Sequence, residues 1–210
     1  MKETLLRFNK NQRYVVFDTE TEGLNLVTSR PWQIAWLVAQ GDKIISRTDR
    51  FIHWPSLNVS EGAARITGFS QEEYEKKSRS PNQVWEEFSK DLFDKNNIII
   101  GQNLLGFDVY MVDIWRKGLS EPLDQEYISR IIDTKALATA IAKNIPYTSG
   151  DFINWQYRLL HYRERGLKTS QAFLLKHYGI DHDPKRLHDA LYDIEMNFKI
   201  FQKQLFDLEL

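Results

Sequence analysis

Apolar and polar positions along this chain change their period part-way through. Tyr14 to Asp18 is a run of aromatic and β-branched residues and predicts a buried strand. Trp32 to Ala39 and Lys43 to Ile52 predict a second and third strand. Ala39-Gln-Gly-Asp-Lys43 lies between them as a hairpin turn bent at Gly41-Asp42. The period then lengthens. Ser60 to Thr67 and Gln71 to Lys76 predict short helices, with Ser60 and Ser70 as their N-caps. Pro81 to Phe93 predicts a longer helix with Val84, Trp85, Phe88 and Leu92 on one face. Asn97 to Gly101 reads as a short buried strand, and Phe107 to Lys117 as a helix ended by Gly118. Asp133 to Lys143 reads as a helix capped by Asp133 or Thr134. Asn144 to Tyr157 reads as irregular, and Thr169 to Tyr178 and Leu187 to Leu205 as helices. Three strands, then a strand alternating with helices, predict an α/β sandwich around a mixed sheet.

Composition narrows the picture. The 210 residues are 42% hydrophobic and 13% aromatic, enough for a core and too apolar for a disordered chain. Neither a repeat nor a Pro/Gly/Ser-rich linker divides the sequence, so one domain over 1–210 is expected. There is no cysteine, so disulfides, thiolate metal sites and cysteine nucleophiles are excluded. No apolar run approaches the 18 or so residues that span a bilayer, and Met1 to Lys10 lacks a continuous apolar segment. The expected location is cytoplasmic. The net charge of −1 balances 28 Lys and Arg against 29 Asp and Glu. That argues against a dedicated duplex binder, whose domain is strongly basic. One stretch is locally basic. Between Trp155 and Tyr178, Arg158, Arg163, Arg165, Lys168 and Lys176 interleave with Tyr157, Tyr162 and Phe173, against Glu164 alone. Such interleaving suits a nucleic-acid strand, and it equally describes a solvated helix face.

Three short motifs carry candidate chemistry. In Asp18-Thr19-Glu20 the two acids are two apart on a strand and share a face. Like charges at the end of a buried strand repel, and a hard divalent cation such as Mg²⁺ or Mn²⁺ removes the conflict. Gly101-Gln-Asn103 followed by Phe107-Asp108 sets a second acid in the first turn of a helix, where it also complements the helix dipole. Leu187-His188-Asp189-Ala190-Leu191-Tyr192-Asp193 is the third. His188 and Asp193 are five apart, about 140° around one helix, so they converge only if His188 precedes the helix. Asp189 is then a plausible cap. A histidine beside a metal cluster suits general-base work. His177, Asp181, His182 and Asp183 look like a second cluster and read better as a solvated loop.

Taken in order, Asp18, Glu20, Asp108, His188 and Asp193 resemble the DEDDh family of 3′→5′ exonucleases, which includes polymerase proofreading subunits and RNase T. The resemblance runs from about Tyr14 to Phe201. Supporting segments are Glu22-Gly23-Leu24, Gln33-Ile34-Ala35, Val59 to Gly68, Ile132-Asp-Thr134 and Tyr178-Gly-Ile180. Two features depart from the pattern. Four residues separate Asn103 from Asp108 where histidine-type members usually have three, and Glu22 replaces a common threonine, which would alter contacts to the terminal nucleotide. Tyr192 immediately precedes Asp193, the wrong position for the tyrosine of the tyrosine-type subfamily, so it is assigned to the core and His188 is kept as base.

The resemblance implies an RNase H-like fold, α/β with a mixed central sheet of about five strands flanked by helices. It implies two divalent ions, Mg²⁺ or Mn²⁺, held by Asp18, Glu20, Asp108 and Asp193, with His188 as general base. It puts Thr21, Leu24 and Asn103 against the terminal nucleotide, Leu24 as a wedge on the last base. The expected activity is metal-dependent removal of nucleoside 5′-monophosphates from single-stranded or frayed 3′ ends, DNA before RNA. The expected partners are those strands and a polymerase or replication protein, and no membrane. A catalytically weak binding or polymerase-docking module of the same fold is the alternative. A calcium-loop protein is excluded, because the acids are scattered rather than confined to one continuous loop.

Overall fold

The structure is a computed structural model that describes residues 6–187 and 189–209. Five strands form one sheet in the order β3-β2-β1-β4-β5. β1 (Arg13–Thr21), β2 (Pro31–Gln40) and β3 (Lys43–Phe51) form the predicted antiparallel meander. Gly41 turns the β2–β3 hairpin at φ +59 and donates its N–H to Gln12 O at 2.9 Å. A Cβ there would meet the Lys10 carbonyl oxygen at 2.8 Å, so glycine is required twice over. β4 (Asn97–Gly101) runs parallel to β1, and β5 (Ile131–Asp133) parallel to β4. The sheet is mixed, as expected, and its fifth strand is a three-residue element that the sequence pattern does not predict as a strand.

Helices cover the sheet. α1 (Glu61–Thr67) and α2 (Gln71–Lys77) start at the predicted caps: Ser60 accepts from Ala63 N and Ser70 from Glu73 N. α3 (Pro81–Leu92) buries Val84, Trp85, Phe88 and Leu92, the predicted face. Phe88 meets Phe17 and Trp36 from the sheet and stacks with Trp115 from α4 (Asp108–Gly118), so one layer of rings ties both helices to β1 and β2. Gly118 does not end α4 by a left-handed turn. It is the last helical residue, its Cβ position lies 3.1 Å from the Trp54 ring, and the left-handed residue is Ser120.

α5 (Thr134–Lys143) is capped by Asp133 as expected. The irregular segment expected from Asn144 to Tyr157 gives way at Phe152 to α6 (Phe152–Leu160). Asp151 caps it, Phe152, Trp155, Leu159 and Leu160 are buried, and Gln156 bonds the β5 backbone in both directions, from Asp133 N at 2.7 Å and to Ile131 O at 2.9 Å. α7 (Gln171–His177) follows the Ser170 cap, and α8 (Ala190–Glu209) packs across β1, β2 and β4. α8 begins at Ala190 rather than Leu187. Asp189 accepts from Tyr192 N at 3.2 Å, the expected cap. Tyr192 is in the core, its hydroxyl accepting from Asp183 N at 2.7 Å. No described helix is long and apolar enough to cross a membrane.

Candidate active site

β4 pairs with β1 only as far as Val16↔Ile100. From Phe17 onward that edge of β1 has no strand beside it among the described residues, and the start of α4 occupies the gap. Thr19 donates its N–H to Asp108 Oδ1 at 3.1 Å and its hydroxyl to the same oxygen at 2.6 Å. The middle residue of Asp18-Thr19-Glu20 thus fastens the first motif to the second. Thr19 is buried, and alternation turns Asp18 and Glu20 the other way, into a cavity of about 490 Å³ at the carboxyl ends of β1 and β4. Asp108 lines it from α4, Asp193 from the first turn of α8, and Asn103 from the segment after β4.

The chain after β4 is shaped for this. Asn103 is left-handed, φ +64, and one turn of 3₁₀ helix, Leu104–Gly106, follows before α4 starts at Asp108. That turn absorbs the fourth residue between Asn103 and Asp108. A Cβ on Gly106 would lie 2.6 Å from Asn103 Oδ1, and one on Gly101 would lie 2.5 Å from Leu104 Cγ. Asp133, fully buried at the end of β5, binds this segment. It accepts from Asn103 N (3.0 Å) and Leu105 N (3.1 Å) while capping α5 through Lys135 N and Ala136 N. Burial pushes its carboxyl up to about 6 in spite of the four N–H groups. Lys135 Nζ then donates to Asn103 Oδ1 at 3.1 Å.

Asp18 and Glu20 are strongly perturbed by the acids around them. Burial first, then the charges of Asp108, Glu20 and Asp193, hold the Asp18 carboxyl well above the carboxylate range. Burial, with Asp193 and Asp108, pushes Glu20 up to about 8. Asp108 is pushed up to about 7 by burial, against the Thr19 bonds that lower it. Carboxylates held this way are stabilised by a cation, and the donor set is all hard oxygen, fitting Mg²⁺ or Mn²⁺. Asp108 is turned to Thr19, and Asp193 Oδ1 accepts from Gln171 Nε2 at 3.0 Å. Among the described residues no three His, Asp or Glu side chains are gathered into a ready ion cage.

The other expected site residues are placed differently. Thr21 is buried, donates its hydroxyl to Gly23 O at 2.7 Å and holds the turn after β1 rather than lining the cavity. Leu24 is 86% exposed on that turn, also outside the lining. Glu22 faces Arg30: its carboxylate takes two guanidinium bonds, at 2.7 and 3.0 Å, and accepts from Arg30 N and Asn58 N. Burial opposes the charge, but these bonds hold it below the usual range. The residue replacing threonine therefore pins the loop. His188 lies outside the described residues. His177, His182 and Asp183 form no cluster: His177 stacks on Phe173, His182 bonds Ile180 O, and Asp183 caps a short turn through Lys185 N.

Gln102 and Gln171 also line the cavity and were not singled out by sequence. Amides are common on solvated surfaces and carry no distinctive signal. The one available for Gln102 was its place between Gly101 and Asn103.

A family model described as "Exonuclease", of RNase T type, matches residues 15–201. The DNA polymerase III PolC-type proteins of Thermotoga petrophila and Ureaplasma parvum are 32% and 24% identical over 139 and 206 residues, covering 66% and 94% of this chain. The chain spans only 10% and 12% of those relatives. Among solved structures, E. coli exonuclease I in complex with a dT13 oligonucleotide matches with a TM-score of 0.73 at 18% identity, over 94% of this chain and 43% of that one. The zinc-bound form of the exonuclease I–single-stranded DNA complex gives 0.70 at 18%, over 93% and 40%. That likeness establishes the RNase H-like α/β fold. With the family model matched over most of its length, this chain belongs to the RNase T-type exonuclease family, within the DEDD group of 3′→5′ exonucleases.

Proposed function

We propose that this chain is a metal-dependent 3′→5′ exonuclease that removes nucleoside 5′-monophosphates from single-stranded or frayed 3′ ends, DNA before RNA. The observation that carries the reading is the cavity itself. Asp18, Glu20, Asp108 and Asp193 come from three elements widely separated in sequence and line one cavity, where the charges of Asp108 and Asp193 raise the pKa of both Asp18 and Glu20. Membership of the exonuclease family supports it, and the names of the PolC-type relatives and the oligonucleotide complexes of exonuclease I favour DNA. The whole chain, 1–210, acts as one exonuclease domain in this reading.

Each residue has a role. Asp18, Glu20, Asp108 and Asp193 would hold two Mg²⁺ or Mn²⁺ ions. Bound there, such a pair would supply an acidified water and stabilise charge on the reacting phosphate. His188 takes the proton of the attacking water. The water oxygen bonds to phosphorus, the P–O3′ bond breaks, and the 3′ oxygen of the penultimate nucleotide takes a proton from solvent and leaves as a hydroxyl. Asn103 orients the terminal sugar, held from both sides by Asp133 and Lys135. Leu24, on a turn fixed by Thr21 and by the Glu22–Arg30 pair, wedges against the last base. A polymerase or replication protein is the partner, suggested by the PolC-type relatives.

The test is digestion of 3′-labelled single-stranded DNA and RNA with Mg²⁺, Mn²⁺ or EDTA, with a closed circle as control. Mononucleotide release from linear DNA, faster than from RNA, is expected, with none in EDTA and an intact circle. Asp18→Asn should lose more than the roughly 10–100-fold that removing an outer partner of a metal ligand costs. His188→Ala should lose about 10²–10⁴-fold and recover partly at high pH, where hydroxide needs no base. Cut circles would make the protein an endonuclease. A wild-type chain that binds DNA and cleaves nothing would make it the docking module.

A further inference from the structure

The basic and aromatic side chains between Trp155 and Tyr178 play no part in the chemistry above. It is not one helix face. Trp155 is buried and stacks on Phe152, while the residues beyond α6 wrap through 161–170 into α7. There they wall two depressions of about 190 and 390 Å³ that share Glu164 and Leu167. The first begins where the acidic cavity ends. Lys135 lines it while reaching Asn103, and Thr169 lines it while accepting from Gln102 Nε2 at 2.7 Å. Ser170 and Gln171, next in sequence, line the cavity. The second is walled by Arg165, Lys168, Phe173 and His177.

Charge along this path is one-sided. Glu164 is neutralised by Lys143 and also accepts from the Tyr162 hydroxyl. Lys135, Arg163, Arg165 and Lys168 have no acidic partner among the described residues. Lys135 meets the Asn103 amide, and Arg163 donates to the Leu160 and Tyr162 carbonyls. Phe173 is 36% exposed, and the Lys168 ammonium lies 5.7 Å from its ring centroid. Cations spaced along a groove with an exposed ring are the chemistry of single-strand binding: phosphates on the cations, a base on the ring.

We propose that this groove is the track of the substrate strand. The part of a single DNA strand lying 5′ of the terminal nucleotide leaves the cavity past Lys135 and runs along Arg163, Arg165 and Lys168, with a base stacked on Phe173. The inference rests on the exonuclease reading, because it assumes a 3′ end in the acidic cavity.

The test combines Arg165→Glu, Lys168→Glu and Phe173→Ala in the full chain and uses two readouts. In EDTA, binding of a labelled single-stranded DNA of about 12 nucleotides should weaken about 10–100-fold. The slope of log affinity against log salt should fall by about 1.4 for the two lost cations. With Mn²⁺, the variant should degrade the long strand with a raised KM yet hydrolyse a dinucleotide, too short to reach the groove, at the wild-type rate. Unchanged affinity, equal losses on both substrates, or displacement of the strand by polyglutamate at equal charge would overturn the track. If the wild-type chain cleaves neither substrate, the exonuclease reading fails, while the EDTA binding arm still decides the groove.

Discussion

At the scale of single residues, Thr19 does what neither flanking acid can. Asp108 lies among other acids in a buried place, and its charged form is favoured by two Thr19 donors on one oxygen. Thr19→Val keeps the shape and the backbone N–H and removes the hydroxyl. A buried acceptor that loses a donor costs about 1–3 kcal/mol, and Asp108 should titrate higher still. The expected outcome is a lower denaturant midpoint and a higher Mn²⁺ concentration for half-maximal activity, both restored by Thr19→Ser. A Val variant indistinguishable from wild type in metal titration would remove Thr19 from the site's electrostatics.

At the scale of elements, the connection from β4 to α4 decides where Asn103 sits. Gly101→Ala drives a methyl into Leu104, and overpacking of this kind costs about 1–3 kcal/mol. The variant should melt earlier and bind strands less well, and Leu104→Ala in the same chain should recover part of the stability. No recovery would place the fault in the backbone rather than in that contact. Elements of this size were unequally legible. β1 to β4 and the Ser60, Ser70 and Asp133 caps followed from period and cap chemistry, which act locally. α6 was hidden behind Pro146 and Gly150. Those residues disrupt only the chain before Asp151, and Phe152, Trp155, Leu159 and Leu160 repeat at helical spacing beyond it. β5 is three residues long and exists through its pairing with β4, which no local pattern records. The same division runs through the site. The four acids announced themselves by order and spacing, and the structure gathers them around one cavity. Gln102 and Gln171 had no such signal. The placement of Thr21 and Leu24 depends on how Glu22 and Arg30 fold the loop, a contact across eight residues.

At the scale of the molecule, the acids make stability depend on pH and metal together. Glu20 titrates near 8 in the fold and near its ordinary 4.5 in an open chain, and Asp18 and Asp108 are shifted the same way. Between those values the folded state binds more protons than the unfolded one, so stability falls as pH rises. Metal-free protein should therefore melt at a lower temperature at pH 8 than at pH 5. Mn²⁺ at about 100 times its Kd should raise the pH 8 melting point by about 5–11 °C. Equal melting points at both pH values in EDTA, or no response to Mn²⁺, would mean the acids do not share a site. The arrangement of acids along the chain has a consequence for synthesis. Asp18 and Glu20 belong to the first strand, and Asp193 is carried by α8, which packs across the sheet. Synthesis runs from the N-terminus, so a growing polypeptide carries Asp18, Glu20 and Asp108 long before Asp193. On the proposed reading, a chain stalled before Asp193 lacks one of its four metal ligands and is expected to leave the cell's polynucleotides untouched.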